Sequence, residues 1–135
     1  MKFAYSQLPG IKSKVVLAPL VPITFHFDSR EIATFALVDS GAAGAVISTV
    51  IAEELGIPWR KIPATVGFTM SGQFRSHLAE NIRAEIEDAS FLLNISIVEG
   101  ISPYRAILGQ RDIFKKARVI FEGYKNQFEV LFKHN

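Results

Sequence analysis

The sequence predicts a single all-β domain with two short helices, on the strength of three observations. Apolar and polar residues alternate over short runs, which is typical of strands that bury one face. Gly, Pro, Asp and Ser cluster between these runs, where turns are expected. The 135 residues, of which 49% are hydrophobic and 21% charged, can form one apolar core but not two. We therefore expect one domain over residues 1–135.

The first predicted strands lead to an unusually placed acidic residue. Two prolines interrupt the apolar residues 15–23, which favours an edge or entering strand over the core of a signal peptide. Residues 22–27 and 33–38 are expected to form a hairpin around a turn at Asp28-Ser29-Arg30. The second strand of this hairpin runs directly into Asp39.

The first predicted helix follows a short strand at residues 45–47. Ser48 has the side chain of a good N-cap for Thr49–Leu55, and Gly56 can end the helix in the left-handed conformation. Pro58 confirms the stop, because proline cannot continue a helix.

The second half of the chain is predicted to be mostly strand. Ala64–Thr69 and residues 74–84 should form a long projecting hairpin that reverses at Met70-Ser71-Gly72-Gln73. The other expected elements are strands at residues 91–98, 104–108, 117–121 and Gln127–Phe132, a helix of about two turns at residues 110–116, and a turn at Glu122-Gly123.

Composition excludes several classes of function. The formal charge of +2 comes from scattered Lys and Arg, so we expect no nucleic-acid partner. The chain has no Cys, which removes disulfides, thiolate catalysis and Cys-ligated zinc and favours a cytoplasmic location. No apolar run approaches the roughly 20 residues of a membrane span, so no membrane association is expected. His26, His77 and His134 have no metal-site spacing, so we expect no metal.

Asp39-Ser40-Gly41, at the end of the apolar residues 35–38, is the strongest candidate for chemistry. A lone buried carboxylate costs several kcal/mol or takes up a proton, so Asp39 must be solvated, hydrogen-bonded or paired with another charge. A second apolar segment that ends in glycine, Ala106-Ile107-Leu108-Gly109, follows about seventy positions later.

These segments together resemble the retroviral-type (retropepsin-like) aspartic proteases over about residues 22–132. In that family a hydrophobic-hydrophobic-Asp-Ser/Thr-Gly loop lies beside a hydrophobic-hydrophobic-Gly turn that leads into a short helix. A flap hairpin lies between the two motifs. The order of these parts matters, since Asp-Ser-Gly alone is common by chance. The resemblance implies a closed β-barrel, with one lobe per chain in a homodimer, as in a non-viral single-domain member.

The resemblance also implies an aspartic endopeptidase that cleaves a peptide or protein substrate without a metal or organic cofactor. Two carboxylates that share one proton lie roughly 3 Å apart, and this chain has one Asp-Ser-Gly. The pair therefore needs two chains about a two-fold axis, with Asp39 of each at the centre. One Asp39 would be the general base for the attacking water, and the other would protonate the oxyanion and the leaving nitrogen.

The neighbours of Asp39 have roles that follow from this arrangement. The resemblance implies that the Ser40 hydroxyl bonds across the two-fold axis. Gly41 would let the backbone approach a substrate and direct its N–H toward the carboxylates, and Ala42 completes the active-site loop. The Ile107-Leu108-Gly109 turn would support this loop, because Gly109 has no Cβ to intrude.

The predicted flap supplies the candidate substrate contacts. Gly72 would be its flexible tip beside Ser71, while Phe68, Met70 and Phe74 would give apolar contact with a bound peptide. Gly72 fits equally well as an ordinary turn glycine, because both uses require a positive φ.

One feature departs from the family pattern, and the C-terminal strand has two possible interpretations. Retroviral members place an acidic residue and an Arg where this chain has Ala43 and Gln110, so that ion pair is missing here. Arg111 and Asp112 could supply a different brace. The C-terminal strand Gln127–Phe132 has an apolar face that would either join the interface sheet of a dimer or belong to the core.

Two functions from different classes remain open at this point. The first is an active homodimeric endopeptidase, and the second is a weak or inactive dimeric module of the same fold that binds peptides. An unrelated β-barrel domain is a third alternative. The sequence favours the enzyme, because an inert module has no chemical use for an uncompensated Asp beside Ser-Gly.

Overall fold

The computed structural model describes residues 1–7, 17–69, 72–100 and 105–133. It is mostly β, with the short helices that the sequence predicts. The strands are β1 (Lys2–Ala4), β2 (Ser6–Gln7), β3 (Leu17–Ala18), β4 (Leu20–Phe27), β5 (Arg30–Val38), β6 (Ala45–Ser48), β7 (Ala64–Thr69), β8 (Gly72–Ile86), β9 (Ala89–Val98), β10 (Ala106–Leu108), β11 (Ala117–Glu122) and β12 (Gln127–Phe132). The helices are α1 (Thr49–Leu55), two 3-10 turns (Trp59–Lys61 and Gly123–Lys125) and a π-helical turn (Gln110–Phe114).

The local signals for the first hairpin and for α1 are confirmed. β4 pairs antiparallel with β5 around a turn in which Asp28 has a φ of 51°. The Ser48 side chain accepts a hydrogen bond from the N–H of Ile51, and Gly56 ends α1 with a φ of 77°. Glycine is favoured at that end because a Cβ is strained at positive φ.

The main sheet brings distant strands together in the order β4-β5-β10-β6-β9-β8-β7. Its pairings are antiparallel except for β10 with β5 and β6 with β9, which are parallel. β4 also pairs with β8, through Thr24↔Glu85, Phe25↔Ala84 and His26↔Arg83. The pairings therefore return to β4, and the inward side chains of these strands share one core.

The core consists of the inward-facing apolar residues of this sheet and of α1. α1 contributes Ile51, Ala52 and Leu55, and the 3-10 turn that follows it contributes Trp59. The largest fully buried side chains are Phe25, Phe128, Ile23, Ile47, Ile51, Leu55, Ile86, Ile95, Ile97, Leu108, Ile113 and Val21. None of the helices among the described residues is long and apolar enough to cross a bilayer.

β7 and β8 form the projecting hairpin that the sequence predicts. Their register runs from Ala64↔His77 to Thr69↔Gly72. Gly72 has a φ of 124°, as either of its predicted uses requires. Met70 and Ser71, which we expected at the tip, lie outside the described residues.

The C-terminal strand belongs to the core of its own chain. β12 lies between β1 and β11 in a second sheet, and both of its edges are therefore paired within the chain. Phe128 and Val130 are buried, and Phe132 packs against Phe91 with ring centroids 5.6 Å apart. β1, which the sequence analysis missed, occupies the edge through which β12 would otherwise extend a sheet.

Candidate active site

The two motifs that the sequence singled out lie side by side. β10 runs parallel to β5, with Ile107 opposite Leu37 and Leu108 opposite Val38. Because both strands end at the same edge of the sheet, Asp39 and Gly109 emerge together. The backbone N–H of Asp39 donates to the carbonyl of Leu108 at 3.0 Å, which continues the ladder by one step.

Asp39 is half-buried, and its carboxylate is held by its own loop. The N–H of Gly41 donates to Oδ1 of Asp39 at 2.9 Å, and the N–H of Ala42 donates to the Asp39 carbonyl at 3.2 Å. The carboxylate thus meets the requirement for solvation and hydrogen bonding. Ser40 is exposed at the same edge, which is the position that a contact with a second chain requires.

Gly109 lies too close to this loop for any side chain. A Cβ at Gly109 would lie 2.5 Å from the carbonyl oxygen of Ala42 and 2.9 Å from the backbone nitrogen of Gly44. The φ of Gly109 is −130°, which any residue can adopt, so the need for glycine here is steric. The expectation that Gly109 lets the turn pack directly against the loop fits this geometry.

The turn after Gly109 holds the active-site loop through its backbone and one side chain. The N–H of Gln110 donates to the carbonyl of Ala42 at 2.9 Å, and the N–H of Arg111 donates to the carbonyl of Ala43 at 3.0 Å. The Gln110 side chain donates from Nε2 to the Ser40 carbonyl at 2.7 Å. Gln110 therefore supplies a neutral brace at the position where retroviral members carry an Arg.

Asp112 holds the turn itself. Its side chain is buried, and its Oδ2 accepts a hydrogen bond from the N–H of Gly109 at 3.1 Å. Burial raises the pKa of Asp112, partly offset by that hydrogen bond and by the charges of Lys116 and Arg111. In the sequence, Asp112 is only a candidate for a brace together with Arg111. An acidic residue three positions after a helix-starting residue is the spacing of a capping box and predicts this bond.

Phe68 and Phe74 project from opposite faces of the β7–β8 hairpin. Phe68 pairs with Gln73 and Phe74 pairs with Gly67, so the two aromatic rings alternate across the ladder. Phe74 lies over Gly67, where a Cβ would be 2.3 Å from its ring, whereas Phe68 is 75% exposed. Within one hairpin, at most one of these rings can face a peptide bound beneath it.

The described residues contain no group of His, Asp and Glu side chains that could hold a metal ion. A groove of about 770 Å³ lies between the β8–β9 turn and the end of β12, away from the active-site loop. It is lined by Met1, Asp88, Ala89, Ser90, Phe91, Lys115, Lys116, Val130, Leu131, Phe132 and Lys133. Because none of these residues belongs to the loop or to the β7–β8 hairpin, this groove is not the candidate site.

Comparison with known proteins supports the fold through structure alone. No family model matches the sequence, and no curated protein matches it. Among solved structures, the chain is similar to the crystal structure of a retropepsin-like aspartic protease from Rickettsia conorii, with a TM-score of 0.66 and 16% sequence identity. The match covers 97% of this chain and 98% of that one. The chain therefore has the retropepsin-like fold, with Asp39-Ser40-Gly41 at the end of β5.

Proposed function

We propose that this protein is a non-viral aspartic endopeptidase of the retropepsin-like family that acts as a homodimer. The observation that carries the proposal is the Asp39 carboxylate at the end of β5, oriented by the N–H of Gly41 and supported by the Gly109 turn. The fold shared with the Rickettsia conorii protein supports the same conclusion. The pairing of β4 with β8 supports a closed barrel in each subunit.

The chemistry requires two copies of this loop. Two Asp39 carboxyls about a two-fold axis would share one proton, because a second negative charge at such short range is strongly unfavourable. The ionised Asp39 would take a proton from a water that attacks the scissile carbonyl. The protonated Asp39 would donate to the oxyanion. When the intermediate collapses, this Asp39 would take that proton back, and the other Asp39 would give the proton it took from water to the leaving nitrogen. Activity should therefore fail when both carboxyls are ionised and when both are protonated.

The other predicted site residues have supporting roles in this proposal. The Ser40 hydroxyl would bond across the axis, while Gln110 fixes the peptide unit that follows Ser40. The β7–β8 hairpin would close over the substrate and exclude water. No cofactor takes part.

The test compares the native protein with Asp39→Asn on a mixed peptide library from mildly acidic to neutral pH. Asn keeps an oxygen that can accept from Gly41, so the variant should fold and dimerise but not cleave. Asp88→Asn, in the exposed β8–β9 turn, is the matched control and should cleave like the native protein. Equal cleavage by native protein and Asp39→Asn, or none by native dimer, would refute the enzyme and favour the peptide-binding module.

Mixed dimers test whether both Asp39 residues take part. When native and Asp39→Asn chains are unfolded together in equal amounts and refolded, about one quarter of the dimers carry two Asp39 residues. We expect activity to fall to that fraction. Activity of one half would show that each chain acts on its own, and activity of three quarters would show that one Asp39 per dimer suffices. Sedimentation showing only monomer at high concentration would contradict the proposed dimer.

A further inference from the structure

The base of the β7–β8 hairpin contains a buried histidine that the proposed chemistry does not use. His77 lies on β8 opposite Ala64, the first residue of β7, and its side chain is 5% exposed. Its ring packs edge-on against Trp59, with ring centroids 5.0 Å apart. Because the imidazole has so little access to water, its nitrogens must find partners within the protein.

Both ring nitrogens of His77 face oxygen atoms. Nδ1 lies 2.7 Å from the carbonyl oxygen of Ile62, and Nε2 lies 2.7 Å from Oε2 of Glu99. A carbonyl and a carboxylate can only accept hydrogen bonds, so both nitrogens have to donate. The imidazolium ion satisfies both contacts, whereas the neutral ring would direct a lone pair at one of the two oxygens.

The surrounding groups favour the doubly protonated ring. The hydrogen bonds to Glu99 and to Ile62 raise the pKa of His77, against the opposing effects of burial and of Arg75. Glu99 in turn has a lowered pKa, chiefly because it accepts from His77. Arg75 Nε lies 3.5 Å from Oε2 of Glu99, and the charge of Arg60 acts on the same carboxylate. His77 and Glu99 therefore form a charged pair with cations on its outer side.

The three bonded residues belong to three different segments. Ile62 lies two residues before β7 begins, His77 lies in β8, and Glu99 directly follows β9. The N–H of Glu99 also donates to the carbonyl of Arg75 at 3.1 Å, which extends the β8–β9 pairing. The His77 ring thus ties the entry of the hairpin to its return strand and to the neighbouring strand.

We propose that His77 is a positioning residue that clamps the base of the β7–β8 hairpin as an imidazolium ion and releases it on deprotonation. The neutral ring has one N–H and must lose its hydrogen bond to either Ile62 or Glu99. The clamp does not depend on hydrolysis. Its effect on peptide binding, a rise in KM with a smaller change in kcat as His77 loses its proton, rests on the proposed function.

The experiment uses the Asp39→Asn protein, so that a failed peptidase assay and a failed clamp are separate results. Nitrogen-15 NMR counts the protons on each histidine ring between about pH 5 and 9, and the spectrum of His77→Gln assigns the His77 signal. Hydrogen exchange of the hairpin amides, corrected for the intrinsic effect of pH, reports opening of the hairpin. His26→Gln, which removes a histidine of β4, is the matched control.

We expect His77 to carry two ring protons above pH 6.5, the ordinary histidine value. Protection of the hairpin amides from hydrogen exchange should fall by about tenfold as His77 deprotonates, since a hydrogen bond to a charged group is lost. His26→Gln should change neither result. A singly protonated His77 ring below pH 6.5, or hairpin protection that does not follow its titration, would overturn the proposal.

Glu99→Gln separates the clamp from general destabilisation. Gln keeps the size of the side chain and can still accept a hydrogen bond, but it removes the negative charge. The His77 titration and the loss of hairpin protection should therefore both move to lower pH, while protection in β5 and β9 stays constant. An unchanged His77 titration in this variant would contradict the charged pair.

Discussion

Replacing Gly109 with Ala tests the close packing beneath the active-site loop. The new Cβ would lie 2.5 Å from the Ala42 oxygen, where ordinary contact begins at 3.4 Å, so that oxygen must move by about 0.9 Å. Such a shift lengthens the bonds from Gln110 to Ala42 and from Arg111 to Ala43, which are now 2.9 and 3.0 Å. The loop and the turn would no longer be held together.

The expected loss of stability comes from two sources. Overpacking costs about 1–3 kcal/mol, and each weakened hydrogen bond costs about 0.5–1.5 kcal/mol. The lower entropy of Ala in the unfolded chain offsets about 0.4–1 kcal/mol. We therefore expect Gly109→Ala to lower the free energy of unfolding by about 2–4 kcal/mol and to abolish cleavage even where the protein remains folded.

Urea unfolding at fixed protein concentration, followed by the fluorescence of the single tryptophan, measures this loss. Gly44→Ala is the matched control in the same loop, since its Cβ would meet only the Arg111 Cδ, at 4.0 Å. It should change stability by less than about 1 kcal/mol. If Gly109→Ala were as stable and as active as Gly44→Ala, steric contact would not be what positions the loop.

Three further predictions concern the braces around the site and the hairpin. Asp112→Ala should destabilise by about 1–3 kcal/mol because it leaves the buried N–H of Gly109 unpaired, whereas Asp112→Asn keeps an acceptor. Burial raises the pKa of Asp112, so its contribution to the free energy of unfolding falls as the pH rises from 3.8 through its folded-state pKa. The free energy of unfolding of Asp112→Asn, measured by urea titration, should therefore increase relative to that of the native protein over this range. Gln110→Met should lower kcat with little loss of stability, because it removes one exposed hydrogen bond to the loop; an unchanged kcat would exclude this brace. The ion pair of His77 and Glu99 should make its full contribution to stability between pH 4.5 and 6.5. That contribution should be lost at lower pH as Glu99 is protonated and at higher pH as His77 deprotonates. Thermal melts of His77→Gln that parallel native melts at all pH values would disprove this.

Short-range signals in the sequence predicted the elements that surround the site. Ser48 and Gly56 define the ends of α1 because capping depends on residues within one turn. The alternation of residues 64–69 against the return strand, reversed near Gly72, predicted the projecting hairpin. The same alternation also places Phe68 and Phe74 on opposite faces, a consequence that the sequence analysis did not draw.

The contacts that depend on distant strands could not be predicted in this way. β1 has three residues, too few for a period to be recognised. From the sequence, Gln110 is recognised only as a replacement for the Arg of the retroviral pattern. Its hydrogen bond to Ser40 exists only when β5 and β10 lie side by side. His77 belongs to no recognisable sequence motif, and its hydrogen-bond partners lie 15 and 22 residues away in the chain.

The parallel pairing of β5 with β10 also has a consequence for folding. Parallel partners that are about seventy positions apart close a long loop, and the entropy of that closure makes such contacts slow to form. Asp39 is synthesised about seventy residues before its supporting turn. Until β10 has paired with β5, the Asp39 loop therefore lacks the hydrogen bonds from Gln110 and Arg111 that hold it. Under the proposed function, peptidase activity can therefore appear only after this late pairing of β5 with β10 has formed.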